Sequence, residues 1–323
     1  MQVLFVSSGN THGGISPVVK KQGETLAARN VSITYFTITG KGIRGYLKAV
    51  GSIKKFLRKN SFDLIHVHYG MSGLSLFLAR PSLPSVISFM GDDIMGSNKP
   101  DGSLSLKSKV FVGINTWLAK NYFRQVLVKS EQMRVRVPFK NVTVIPNGVD
   151  TKQFFPESMS ETRKKLNLAA DKRIVVFVSN PQRPEKNIAL AQKAVAMLND
   201  SNVELITVYN QSHDEVRHWM NAADVLVLTS FHEGSPNVIK EAMACNLPIV
   251  STEVGDVRQV IDRLDGCFLA GYEAAEFSQK VKLALDFSIK TGRTRGRERI
   301  LELGLDSESI AKRIVDVYER ILK

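Results

Sequence analysis

The chain has 323 residues, of which 43% are hydrophobic and 23% charged, enough for about two domains of ~150 residues, each with a buried core. These proportions, with 22 Gly and 11 Pro, exclude a disordered chain, a disulfide mini-scaffold and a coiled coil. The formal charge of +13 is lopsided: residues 1–150 hold 20 Lys and Arg against 7 Asp and Glu, whereas residues 151–323 hold 24 of each.

Taken in chain order, short apolar runs alternate with amphipathic ones. Strands are predicted at Val3–Ser7, Ile33–Thr37, Leu64–His68, Ser85–Phe89, Gln125–Val128 and Val142–Ile145. Helices fall between them, at Ile15–Arg29, Ile43–Lys59, Gly73–Leu78, Leu104–Tyr122 and Gln132–Val137. Nearly continuous apolar strands joined by helices predict a doubly wound parallel α/β sheet. Pro146–Pro156 reads as a linker, rich in turn formers. The rhythm then restarts with strands Ile174–Ser179, Val203–Tyr209, Val225–Thr229, Pro248–Ser251 and Cys267–Leu269, and helices around Glu185–Leu198, Asp214–Asn221, Ser235–Ala244 and Ala274–Phe287. The tail from Arg293 to Ile321 is predicted helical, with Ile310, Ile314, Val317 and Ile321 on one stripe.

Cys245 and Cys267 form no disulfide framework or clustered zinc site and fit a reducing compartment, the cytosol. The opening MQVLFVSSGN is apolar for about five residues, short of a signal-peptide core, and no run approaches the ~20 apolar residues of a membrane span. The protein is expected not to cross a membrane, and a position on one stays open.

The most informative stretch is FHEGSPNVIKEAMACNLPIVST, residues 231–252. It follows an apolar strand, so Phe231–Gly234 is a strand-to-helix loop, Ser235 an N-cap and Pro236 the first helical residue. The helix start, with its free N–H groups and positive dipole end, suits an anion, and Gly234 allows close backbone approach. Glu233 and Glu241 can line one ligand from opposite ends; equally, the spacing fits a capped helix with Glu233 facing the dipole and Glu241 in solvent.

Glu233–Glu241 is the E-x7-E pattern of the retaining, GT-B-fold nucleotide-sugar glycosyltransferases, the large glycosyltransferase group 1 family, which this chain resembles. VTVIPNGVDTKQF (142–154) looks like that family's linker, residues 221–261 its donor domain, and VLFVSSGNTHGGIS (3–16) its opening strand and Gly-rich loop. The resemblance implies two doubly wound domains facing across a cleft. Residues 1–149 would bind the acceptor and 150–323 the nucleotide-sugar donor, with the last helices packing back toward the first domain. It further implies that Glu241 accepts from the ribose hydroxyls, while Glu233 and the Gly234–Ser235–Pro236–Asn237 turn face sugar and diphosphate. Retention in the family proceeds on the front face, a donor phosphate oxygen deprotonating the acceptor, so no carboxylate pair at glycosidase spacing is needed. Lys186 and Arg183 would stabilise the departing diphosphate. Asn180 and Pro181 stand where the family has Gly and Arg, so the role of Lys186 carries over more directly than that of Arg183.

Other departures bear on the substrate. VISFMGDDIMG (86–96) resembles a segment in which a His precedes the Gly and contacts the donor sugar; here that residue is Met90, while Asp93 keeps its place. A thioether there predicts tolerance of a methyl group near C6, as in a 6-deoxy sugar; alternatively, His68 supplies the missing contact. Val203–Tyr209 runs almost directly into HDEVRHWMNAADV, omitting a helix and strand usual near the base. Gly13–Gly14 opens the first helix at the cleft side; its spacing is not that of dinucleotide binding. With no D-x-D and no His/Cys cluster, neither a metal nor another cofactor is expected.

Residues 44–60 place Tyr46, Leu47, Val50, Ile53 and Leu57 on one stripe among Lys and Arg, a basic amphipathic helix that packs on the sheet or meets an anionic surface. The expected function is retaining, metal-independent hexosyl or deoxyhexosyl transfer to a saccharide acceptor, lipid-linked, in bacterial surface polysaccharide synthesis. The protein is then cytoplasmic and peripheral at the inner face of the cell membrane. The alternatives are an epimerase or phosphorylase of the same fold, or a nucleic-acid-binding protein. The last is allowed by charge but unsupported by any RNA-binding or helix-turn-helix signature, so no nucleic-acid partner is expected.

Overall fold

The computed structural model describes residues 1–10, 14–40, 42–96 and 105–323. They form two compact units, one of Met1–Asn147 with Ser307–Lys323 and one of Gly148–Asp306. Unit 1 begins with β1 (Gln2–Ser8), α1 (Pro17–Ala27), β2 (Ser32–Ile38), α2 (Gly42–Lys59), β3 (Leu64–His68), α3 (Gly70–Ala79) and β4 (Ser85–Ser88). It continues with α4 (Asp92–Met95), α5 (Leu106–Asn121), β5 (Gln125–Val128), α6 (Glu131–Arg136) and β6 (Val142–Val144). Leu104, predicted to open α5, lies outside the described residues.

All pairings in this sheet are parallel, in the order β2-β1-β3-β4-β5-β6. Strand alternation sends Leu4, Val6, Ile65, Val67 and Ile87 into one core with Tyr46, Ile53, Leu76 and Leu118 of α2, α3 and α5. In α2 the core takes Tyr46, Ala49 and Ile53. Leu47, expected on that stripe, is instead 46% exposed beside Ile43 at 55%. It lies about 160° around the helix from Ala49, the middle of the buried face, and so points away from the sheet.

Unit 2 holds α7 (Met159–Lys165), β7 (Arg173–Val178), α8 (Ile188–Ala196), β8 (Val203–Val208), α9 (His213–Ala222), β9 (Val225–Leu228), α10 (Asn237–Ala244) and β10 (Ile249–Thr252). It closes with α11 (Val257–Ile261), β11 (Cys267–Ala270), α12 (Ala274–Thr291) and α13 (Gly296–Glu302). Its sheet, again parallel, runs β11-β10-β9-β7-β8. Val175, Phe177, Val225, Val227 and Val250 pack with Leu190, Ala191, Phe277, Val281 and Leu285 of α8 and α12. The short helices α4, α7 and α11 were not predicted: α4 and α11 span about one turn, and α7, MSETRKK, carries no apolar stripe.

The predicted helical tail divides into α13 and α14 (Ser307–Leu322), and α14 belongs to unit 1, where a split at 149/150 alone would have left it in the second domain. The reason is burial. Ile310, Ile314, Val317 and Ile321 are covered, α14 packs on α1, and Arg313 donates to the Val144 carbonyl at 2.7 Å. Outgoing and returning chain run side by side, Val149 N–H donating to Leu305 O at 2.9 Å. Among the described residues no helix is long and apolar enough to cross a membrane.

Candidate functional site

In an open parallel sheet, ligands bind at the carboxyl ends of the strands where the order reverses. In unit 2 that point lies between β7 and β9, because β8 follows β7 on one side and β9 on the other. The loops leaving these two strands carry Lys186 and Glu233, and the structure brings them together: Lys186 Nζ lies 2.5 Å from Glu233 Oε1. Ser230 Oγ donates to the same oxygen at 2.8 Å. Both charged side chains are 16% exposed, close to solvent but partly desolvated, where charge acts more strongly than on an open surface.

The backbone beneath them is tied down. Thr229 Oγ1 donates to the carbonyls of Lys186 and Asn187, at 2.9 and 2.8 Å, and Phe231 N–H donates to Glu185 O at 2.9 Å. Asn180 makes the turn before Lys186, accepting from Gln182 N–H on its side chain and from Arg183 N–H on its carbonyl. Arg183 is not gathered with Lys186; its guanidinium pairs with Glu185 and is 51% exposed.

Helix α10 starts one residue later than predicted. Pro236 occupies the N-cap position, which has no side-chain capping bond, and Asn237 is the first helical residue. Ser235 is not the cap, because its hydroxyl donates to Asp256 at 2.8 Å instead. The turn therefore presents the amides of Gly234, Ser235 and Asn237; Pro236 has none. Glu241, a little over one turn into α10, is not simply in solvent: burial pushes its carboxyl up to about 7, against the opposing charge of Lys240.

Thr229, Ser230, Lys240, Gly255 and Asp256, none of them among the site residues expected from the sequence, support this loop. The signal in the sequence was the Gly255–Asp256 turn shortly after the predicted strand Pro248–Ser251, at a carboxyl end where loops carry function. Burial pushes both thiols, Cys245 and Cys267, up to about 12, which keeps them protonated and unreactive.

In unit 1 the order reverses between β1 and β3. Gly13 lies outside the described residues; Gly14 has φ +75, which disfavours any L side chain, and among the described residues nothing lies within 4 Å of where its Cβ would stand. His68 ends β3 fully buried, stacked on His66 with ring centroids 4.3 Å apart and tilted against Phe5 at 4.6 Å. Neither of its ring nitrogens has a hydrogen-bond partner among the described residues. His66 is bonded on both sides, to Tyr318 at 2.5 Å and Ser88 at 2.8 Å, so the returning α14 packs Tyr318 on the sheet face that carries Phe5 and His66.

Asp93 is spent on backbone: its carboxylate accepts from Gly70 (3.2 Å), Met90 (3.0 Å) and Gly91 (3.0 Å). It organises the turn that carries Met90, and burial holds its carboxyl at about 6 despite those donors.

Burial and the Lys129 charge lower the His68 ring to about 3. Its folded value lies below the unfolded one near 6.5, so it favours folding above that pH and loses this contribution as pH falls toward 3. His68→Phe is expected to flatten that part of the acid limb of a Tm-against-pH curve; an unchanged slope would contradict the neutral buried imidazole.

Two family models match: Glycosyl transferases group 1 over residues 149–286, and Glycosyltransferase Family 4 over residues 18–153. TuaC of Bacillus subtilis (strain 168), named for teichuronic acid biosynthesis, is 27% identical over 223 residues, 62% of this chain and 56% of TuaC. The UDP-Gal:alpha-D-GlcNAc-diphosphoundecaprenol alpha-1,3-galactosyltransferase of Escherichia coli is 27% identical over 258 residues, 68% of this chain and 65% of the enzyme. The matches thus span less than two thirds of either relative. Sucrose-phosphate synthase from Thermosynechococcus elongatus has a TM-score of 0.80 at 19% identity, covering 99% of this chain and 98% of that one, a likeness of fold. With the two family models running together from residue 18 to 286 over two parallel α/β sheets, the chain belongs to the glycosyltransferase group 1 family and has the GT-B fold.

Proposed function

We propose that this protein moves a sugar, with retention of anomeric configuration and without a metal, from a nucleotide-sugar donor to a lipid-linked saccharide in bacterial surface polysaccharide synthesis. The observation that carries the reading is the Lys186–Glu233 pair beside the α10 N-terminus at the β7/β9 switch point. There Lys186 and the amides of Gly234, Ser235 and Asn237 take up the charge that grows on the diphosphate as it leaves. Glu233 faces the sugar and Glu241 the ribose hydroxyls. The acceptor oxygen bonds to the anomeric carbon on the face the diphosphate vacates, the carbon–oxygen bond to the diphosphate breaks, and a phosphate oxygen takes the acceptor's proton. Unit 1 receives the acceptor. The E. coli relative's name, which specifies a diphosphoundecaprenol acceptor, supports that class.

A site for a lipid-linked substrate calls for a membrane-facing surface. Helices α2 and α5 both pack against α3 and carry no Asp or Glu. Along them Ile43, Leu47, Leu106, Val110 and Trp117 are exposed among Lys and Arg. Apolar residues among basic ones suit an anionic bilayer at the inner face of the cell membrane, ~1 kcal/mol accruing per near-surface cation. Co-sedimentation with vesicles rich in anionic lipid is expected at low salt and should weaken as salt rises. Equal binding to neutral vesicles, or none to either, would remove the membrane from the reading.

The experiment for the reaction is donor turnover with and without a diphosphoundecaprenol-linked sugar, in the presence of EDTA. Transfer that requires the lipid-linked acceptor and survives EDTA is expected. Donor consumption without transfer would favour an epimerase or phosphorylase.

A further inference from the structure

Beneath the Glu233–Asn237 turn lies a buried charged cluster that the proposed reaction does not use directly. Lys240 is 1% exposed, and its ammonium lies 2.9 Å from Asp256 Oδ2. The same ammonium bonds to Ser235 Oγ, which in turn donates to Asp256 Oδ2 at 2.8 Å, so three side chains close a triangle. Asp256 stands at the N-cap of α11 yet makes no capping bond there. The neighbouring residue locks the same turn from another direction: Gly255 has φ +59, and a Cβ on it would fall 2.7 Å from the Gly234 carbonyl oxygen and 3.1 Å from that of Glu233. The loop after β10 is thus pressed on the loop after β9 and held there by an ion pair. A buried ion pair is weak evidence for stability, because apolar side chains of similar volume often serve as well. What the pair adds is direction, since it fixes Ser235 by two hydrogen bonds and, through Gly255, the carbonyls on either side of the Gly234 amide.

We infer that Lys240 and Asp256 are positioning residues, which hold the amides of Gly234, Ser235 and Asn237 in place for the donor diphosphate before it arrives. The inference rests on the donor-site reading above. Donors fixed in advance act on the transition state more than on ground-state binding, so their loosening reads mainly in kcat.

The test is the apolar double variant Lys240→Met with Asp256→Leu, measured three ways. Its Tm is expected within a few degrees of wild type, because neither charge is left buried alone, whereas Lys240→Met by itself should fall well below. Amide exchange at Gly234, Ser235 and Asn237 is expected to rise at least tenfold, and kcat to drop at least tenfold with acceptor KM unchanged. If the double variant does not fold, Lys240→Gln with Asp256→Asn, which leaves no buried charge, is read by the same exchange and kcat: both are expected to move in the same directions by a smaller factor, and wild-type values of both would overturn the inference. Restored Tm together with wild-type exchange and wild-type kcat would reduce the pair to a packing element and overturn the inference. A wild-type enzyme that transfers sugar from no nucleotide sugar would sink the donor-site reading instead, and the exchange measurement would still decide whether the pair sets the turn.

Discussion

Replacing Lys186 by Ala is expected to cut kcat by about a hundredfold or more, with circular dichroism and Tm near wild type. Loss of one preorganised donor to a developing anion costs ~10²–10³ in rate, and Lys186 is the cation placed at the switch point beside the α10 amides. The fold should tolerate the change because the loop is held through backbone atoms, by Thr229 Oγ1 on the Lys186 and Asn187 carbonyls and by Phe231 N–H on Glu185 O. Steady-state kinetics on the folded variant check this; a kcat within threefold of wild type would remove Lys186 from the chemistry.

Glu241→Ala is expected to act on donor binding instead, raising donor KM by about ten- to a hundredfold, since hydrogen bonds to a charged group contribute ~1.5–3 kcal/mol. The same residue has a signature in pH. Its folded value, about 7, lies above the ordinary 4.5, so the native state holds the proton longer than the unfolded chain does. This contribution to stability is complete below about 4.5 and is lost as pH rises through 7. Relative to Glu241→Gln, the wild-type Tm should therefore fall between those values. Equal pH profiles together with an unchanged donor KM would place Glu241 outside the donor site.

Both sheets were legible because parallel strands buried on both faces leave continuous apolar runs: Leu64–His68 and Gln125–Val128 have the predicted bounds, and the others lie within a residue at each end. Lys186 and Glu233 were legible as a spacing pattern, but their contact was not, since it depends on the β7/β9 adjacency that only the sheet order supplies. The start of α10 was misplaced because Ser235 has a good capping side chain, and a partner 21 positions away in sequence, Asp256, takes its hydroxyl. Lys240 illustrates the same limit: a lysine on a helix reads as a solvated charge until the fold places an aspartate against it. The destination of α14 followed from its apolar stripe only once unit 1 was there to cover it.

The claim on which the rest depends is that unit 2 grips the diphosphate of a nucleotide sugar with Lys186, Glu241 and the amides of the Gly234–Asn237 turn. Thermal stabilisation by a panel of nucleoside diphosphates and nucleotide sugars, run in parallel on wild type, Lys186→Ala and Glu241→Ala, tests it most directly. Ligand at a hundred times its Kd adds ~2.7 kcal/mol, a rise of a few degrees in a protein of this size. At least one base in the panel is predicted to raise the wild-type Tm by that amount, and both variants should lose most of the rise. No shift with any base, or equal shifts in all three proteins, would contradict the donor site described.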